Sequence, residues 1–114
     1  MLTFSLNKIA LKPNSKVLDV GCGEGRHIFG SLYEFSDIHC VGLDYDIPSL
    51  NKCNEGLEFF EELNSGSTIF MQGSVYKLPF KNNTFDLVIC SEVLEHLAAY
   101  HAAIDEIKRA LKLE

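Results

Sequence analysis

The spacing of apolar positions changes repeatedly along the chain, and each change marks a secondary-structure element. Lys16–Val20 holds Val17, Leu18 and Val20 around one acid, which predicts a short buried strand. Ile28, Leu32 and Phe35 then recur at helical spacing, so Gly25–Phe35 is predicted as a helix with that face on a sheet. Ile38–Leu43 (IHCVGL) is a second strand. Leu50, Cys53, Leu57 and Phe60 form one stripe across Pro48–Leu63, and Glu55, Glu58, Glu61 and Glu62 fall mostly elsewhere. That pattern predicts a second helix with a solvated acidic face. Asn64-Ser65-Gly66-Ser67 breaks it, and Thr68–Gln72 is a third strand. The near-continuous apolar run Phe85–Cys90 reads as a fourth strand buried on both faces. Residues 100–112 make a last helix, with Ile104, Ile107 and Leu111 inward. Before all of these, Leu2, Leu6, Ile9 and Ala10 carry a weaker helical spacing that ends at Lys12-Pro13-Asn14-Ser15. Strands alternating with helices predict an α/β chain with a parallel sheet and crossover helices.

The junction between the first strand and first helix, Asp19-Val20-Gly21-Cys22-Gly23-Glu24-Gly25-Arg26, carries the candidate chemistry. Glycine removes the Cβ atoms that would block a close ligand, and a helix N-terminus leaves backbone N–H groups for polar or anionic atoms. Gly25 is expected to let the first helical turn pack close to the strand. Asp19 sits one residue before the strand end, where a buried acid needs a partner. Asp44 ends the second strand, 23 residues after Gly21. An acid at that place, about 20 residues past a glycine turn, can accept both hydrogens of a ribose diol. Asp46, before Ile47-Pro48, suits the N-cap of the second helix. A nicotinamide or flavin dinucleotide fingerprint needs glycine at its first, third and sixth positions. Arg26 occupies the sixth position counted from Gly21, which speaks against that reading.

Val17–His27 resembles motif I of the class I S-adenosylmethionine-dependent methyltransferases, and the later motifs arrive in that family's order over nearly the whole chain. The resemblance implies a Rossmann-like three-layer sandwich with a partial parallel sheet in the order 3-2-1-4. It also implies S-adenosylmethionine as cofactor. Gly21, Cys22 and Gly23 would then offer backbone to its methionine end, with Gly25 also in the cofactor-binding turn and Asp19 near the amino group. Asp44 would hold the ribose, while Tyr45, Gly73, Ser74 and Val75 border the adenine and Ser91 closes the pocket. Ser74 departs from the family, which commonly carries an acid there to take the adenine amino group; Gly73 and Leu78-Pro79-Phe80 are kept. No catalytic base is assigned. His96 or Glu92 would serve only for an acceptor that needs deprotonation. Glu92, Glu95 and His96 share a helix face at spacings that could converge on an ion, but no fourth ligand is identifiable and no metal is expected. His27 and His39 have no evident partner.

A full domain of this family continues with a fifth strand and an antiparallel pair. Residues 1–114 are therefore expected to be the N-terminal, cofactor-binding part of a methyltransferase domain, truncated after the fourth strand and its helix. Such a chain could bind the cofactor without turnover. The fourth strand would then be an apolar edge prone to homodimerisation or self-association. A dinucleotide-binding oxidoreductase fragment and a non-catalytic nucleoside-binding module are the alternatives.

Composition narrows the partners. The 114 residues allow one domain, and 46% hydrophobic residues suffice for a core. A net charge of −6 argues against a nucleic-acid or anionic-membrane partner held by charge. The resemblance implies a small-molecule acceptor. Cys22, Cys40, Cys53 and Cys90 form no CxxC pair. Three of them lie in or beside apolar strands, as buried hydrophobes suited to a reducing compartment. No run approaches the ~18 apolar residues of a membrane span, and the start lacks a signal-peptide pattern. Cytoplasmic localisation is expected.

Overall fold

The computed structural model describes residues 11–35, 37–58, 66–90 and 97–112. Within them the chain runs β1 (Lys16–Val20), α1 (Arg26–Glu34), β2 (His39–Asp44), α2 (Ile47–Leu57), β3 (Ser67–Gln72), β4 (Leu87–Ile89) and α3 (Tyr100–Ala110). The strands form one parallel sheet in the order β3-β2-β1-β4, as the resemblance implies. In register, Asp19 stands beside Gly42 on β2 and Ile89 on β4.

Successive side chains of β1 divide the core into two layers. Val17 packs with Cys40, Ile89 and the α1 residues Ile28 and Leu32 on one face. Leu18 and Val20 pack with Leu43, Val75, Leu78, Phe85 and the α3 residues Ala103 and Ala110 on the other. Leu50 and Cys53 of α2 join Cys22 in a smaller group that touches Phe70 of β3. Both faces of the sheet are thus covered by helix, and the open crevice lies at the strands' C-terminal ends.

Four details differ from the sequence pattern. Helix α1 begins at Arg26, because Gly25 is its N-cap in a left-handed conformation. Strand β4 is only three residues long. Its expected first residue, Phe85, is drawn instead to the end of α3: its N–H donates to Ala110 O at 2.9 Å, and its carbonyl accepts from Lys112 N–H at 2.8 Å. The buried positions of α3 are Ala103 and Ala110, with Ile104, Ile107 and Leu111 only partly covered. Ala103 and Ala110 join the core layer of Leu18 and Val20, and Ile107 packs against its edge. His27 and His39 also have partners, since His27 Nε2 lies 3.4 Å from an Arg26 guanidinium nitrogen and His39 Nδ1 lies 2.8 Å from Ser67 Oγ on β3. Phe60 and the remaining predicted turn of α2 lie outside the described residues, as does the predicted N-terminal helix.

Candidate functional site

The glycine turn hangs from the end of β2. Gly21 and Cys22 both donate N–H to Leu43 O, at 2.7 and 3.0 Å, and Gly25 N–H closes the turn on Cys22 O at 2.9 Å. Gly23 has φ +55°, and no atom lies within 4 Å of where a Cβ would stand. Packing therefore does not demand a glycine there; the backbone conformation favours one, and the space above it is open. Gly25 differs. At φ +93°, an added Cβ would lie 2.7 Å from the Phe29 ring and 3.2 Å from Cys53 Sγ. Its small size serves the approach of α1 and α2 to each other, not the expected packing of α1 on the strand.

Asp44 joins the turn to the start of α2. Its Oδ2 accepts the Gly23 N–H at 2.7 Å and its Oδ1 accepts the Asp46 N–H at 2.8 Å. Asp46 is the N-cap of α2, accepting from Ser49 N–H at 3.1 Å and Ser49 O–H at 2.6 Å. One short acidic run thus divides two tasks by position: Asp46 caps a helix, and Asp44 faces the glycine turn.

Asp19 is 1% exposed, and neither carboxylate oxygen has a hydrogen-bond partner among the described residues. Burial, reinforced by the negative charge of Asp44, raises its carboxyl from the ordinary 3.8 to about 7; the Arg26 charge pulls weakly the other way. The same burial pushes the Cys40 thiol to about 12 and the Cys90 thiol to about 11, each raised further by Asp19. Cys22 and Cys53 are raised as well, again chiefly by burial. All four cysteines are free, buried and held as neutral thiols.

Between the ends of β1 and β2 and the loop after β3 lies a cleft of 470 Å³. It brings together six of the sequence-predicted site residues: Gly21, Asp44, Tyr45, Gly73, Ser74 and Val75. Asp19, Cys22, Gly23 and Gly25 do not line it; they form the turn and its buried support. Ser91 lies outside the described residues. The wall also includes Val20, Leu43, Tyr76 and Leu97, which the motifs did not single out. Tyr76 follows Ser74 by two residues and was findable as an aromatic in the same loop. Leu97 carried no signal beyond being apolar.

The loop after β3 is braced from two sides. Gly73 N–H donates to Asp44 O at 3.1 Å, and Ser74 pairs with Lys77 in a single antiparallel bridge. Further along, Arg109 of α3 donates to Phe80 O at 2.7 Å, Leu78 O at 3.0 Å and Asn82 Oδ1 at 2.9 Å. Glu106 holds that guanidinium at 2.7 Å and accepts the Leu78 N–H at 2.8 Å. These bonds hold the Glu106 carboxyl below its ordinary value, chiefly through Arg109. The Glu106–Arg109 spacing was legible as a helical ion pair, but its grip on the Leu78-Pro79-Phe80 segment was not.

Among the described residues, no three His, Cys, Asp or Glu side chains gather in a way that could hold a metal ion, and no helix is long and apolar enough to cross a membrane. Glu92, Glu95 and His96 lie outside the described residues.

Comparison with known proteins agrees with this geometry. A family model described as a methyltransferase domain matches residues 18–114. An uncharacterized methyltransferase of Schizosaccharomyces pombe is 37% identical over 105 residues, covering 90% of this chain and 38% of that protein. A sterol 24-C-methyltransferase of Gibberella zeae is 34% identical over 106 residues, covering 93% of this chain and 27% of its own length. The chain thus spans well under half of the curated relatives it matches. A crystal structure described as a putative S-adenosyl-L-methionine-dependent methyltransferase of Methanococcus maripaludis shares the fold, with a TM-score of 0.76 and 24% identity over 89% of this chain and 45% of that one. The methyltransferase match favours that family over the dinucleotide-binding alternative. With the parallel sheet, the glycine turn and the acid ending β2 in one arrangement, the chain belongs to the class I S-adenosylmethionine-dependent methyltransferases.

Proposed function

We propose that this chain forms the S-adenosylmethionine site of a methyltransferase acting on a small-molecule acceptor. The observation that carries the reading is the joining of Asp44 to the glycine turn at the mouth of one cleft. Asp44 is the ribose ligand, its oxygens each keeping a lone pair beyond the N–H they now accept. The open space above Gly23 admits the amino-acid end, and the buried Asp19, without a hydrogen-bond partner among the described residues and holding its proton up to about pH 7, is the acid that an arriving ammonium would ionise and pair with. Tyr45, Gly73, Ser74 and Val75 border the base, and Ser91 closes the pocket. When bound, the cofactor supplies a methyl group activated on a sulfonium; the protein's part is to bind, align and exclude water.

Support for a small-molecule acceptor comes from the acidic surface and from the sterol methyltransferases among the relatives. Residues 1–114 are the cofactor-binding part of a longer methyltransferase domain, and four buried neutral thiols suit a cytoplasmic, reducing setting.

Photo-crosslinking of labelled S-adenosylmethionine tests the main reading. Labelling that is displaced by S-adenosylhomocysteine and unaffected by NADH is expected. Displacement by NADH, or the absence of labelling, would overturn it.

A further inference from the structure

We infer that the Cys53 thiol is a positioning group of the cofactor site: it donates to the Gly23 carbonyl and so holds the glycine turn in the shape that admits the ligand. The inference rests on the proposed S-adenosylmethionine reading and adds a residue of α2 that touches the turn and not the cleft.

Gly23 is placed by bonds more than by packing. No atom lies within 4 Å of where its Cβ would stand, and a glycine has wide backbone freedom. The peptide before it is held by Asp44, whose Oδ2 accepts the Gly23 N–H at 2.7 Å. The peptide after it is held by Cys53, whose thiol donates to Gly23 O at 3.1 Å. Cys22 Sγ stands farther from the same carbonyl, at 3.8 Å. The two close bonds come from different elements, the end of β2 and α2, so together they fix Gly23 on both sides. Freeing the second peptide would let the first rotate away from Asp44, the ribose ligand of the proposed site.

Cys53 suits this task. It is 0% exposed, so water does not compete for its proton. Its Sγ also lies 3.2 Å from where a Cβ on Gly25 would stand, so the sulfur fits the gap between α2 and the turn. Burial raises its pKa, which keeps the proton on sulfur and the donor intact at neutral pH.

Calorimetric titration with S-adenosylhomocysteine compares the wild type with Cys53→Ala, Cys53→Val and Cys53→Ser, each first checked for folding by circular dichroism. Alanine and valine both remove the donor, one leaving a gap and one filling it, whereas serine keeps a donor. Affinity is expected to fall about threefold to tenfold in Cys53→Ala and Cys53→Val alike, and to return within about twofold of the wild type in Cys53→Ser. The Gly23 carbonyl carbon, followed by NMR in the unliganded chains, should shift in the first two variants and stay near its wild-type position in the third. Cys53→Ser with either of the others decides the matter if one does not fold. Wild-type affinity in a variant without the donor would overturn the inference while leaving the cofactor site standing. A loss that serine does not rescue would overturn it too, by assigning the effect to packing. If the folded wild type binds nothing, the proposed function fails and this inference with it.

Discussion

Asp44 Oδ2 accepts the backbone N–H of Gly23 at 2.7 Å, so the carboxylate ending the second strand is tied directly to the turn that follows the first. The bond fixes the width of the crevice between two parallel strands, and its second oxygen fixes the approach to α2 through Asp46 N–H. Replacing Asp44 with alanine removes two charge-assisted bonds at once. A loss of about 1–3 kcal/mol of stability is expected in urea unfolding, since two backbone donors lose their partner. Asp44→Asn keeps an acceptor oxygen and should recover part of that stability.

Asp19 makes stability depend on pH. Its carboxyl is raised in the folded chain from 3.8 to about 7, so the folded state keeps the proton while the unfolded chain ionises. The contribution is fully present below about pH 4 and is lost as pH rises to about 7, on the order of 4 kcal/mol in all. Urea midpoints measured from pH 5 to pH 8 should fall for the wild type. Asp19→Asn, which cannot ionise, should flatten that slope and exceed the wild type at pH 8. A wild-type slope unchanged by the substitution would contradict this account of Asp19.

Two glycines should separate binding from folding. Gly23→Ala meets open space, so beyond about 1 kcal/mol for its positive φ its cost falls on the ligand that fills that space. Gly42→Ala places a Cβ 2.6 Å from the Phe70 ring and 3.1 Å from Cys22 Sγ, in packed core. A destabilisation of about 1–3 kcal/mol is expected from overpacking. Melting temperature and cofactor affinity measured on both variants give opposite rankings if each glycine serves its assigned purpose.

Arg109 tests the brace on the loop after β3. Its planar fork reaches two carbonyls and an amide oxygen while Glu106 holds it from behind. Arg109→Ala should lower the melting temperature and weaken cofactor binding through the loosened loop. Arg109→Lys should not rescue either, because one ammonium cannot span those acceptors.

Much of this architecture was legible in the sequence. The change of period at each element, with Val17, Leu18 and Val20 around one acid, marked the strands and helices, and the family resemblance implied the strand order 3-2-1-4. Asp46 was readable as a cap because Pro48 follows it. What escaped were relationships between distant segments. Phe85 was assigned to a strand on local propensity, whereas the end of α3 claims its backbone. Ala103 and Ala110 were not among the positions that the helical spacing turned inward, yet they are the buried ones of α3. The grip of Arg109 on the loop after β3 escaped because its targets are mostly carbonyls, which leave no mark in a side-chain pattern. Within the site, the acids and glycines were visible from spacing and Tyr76 was findable from its place beside Ser74, whereas Leu97 reaches the cleft only through the fold.

Calorimetric titration of S-adenosylmethionine into the wild-type chain and Asp44→Ala, with folding of both checked by circular dichroism, tests the central claim most directly. Saturable one-to-one binding by the wild type is expected, with affinity reduced at least tenfold in the variant, because the ribose loses its acceptor. Equal binding by both chains would contradict the role given to Asp44. No binding by a folded wild-type chain would contradict the cofactor site itself.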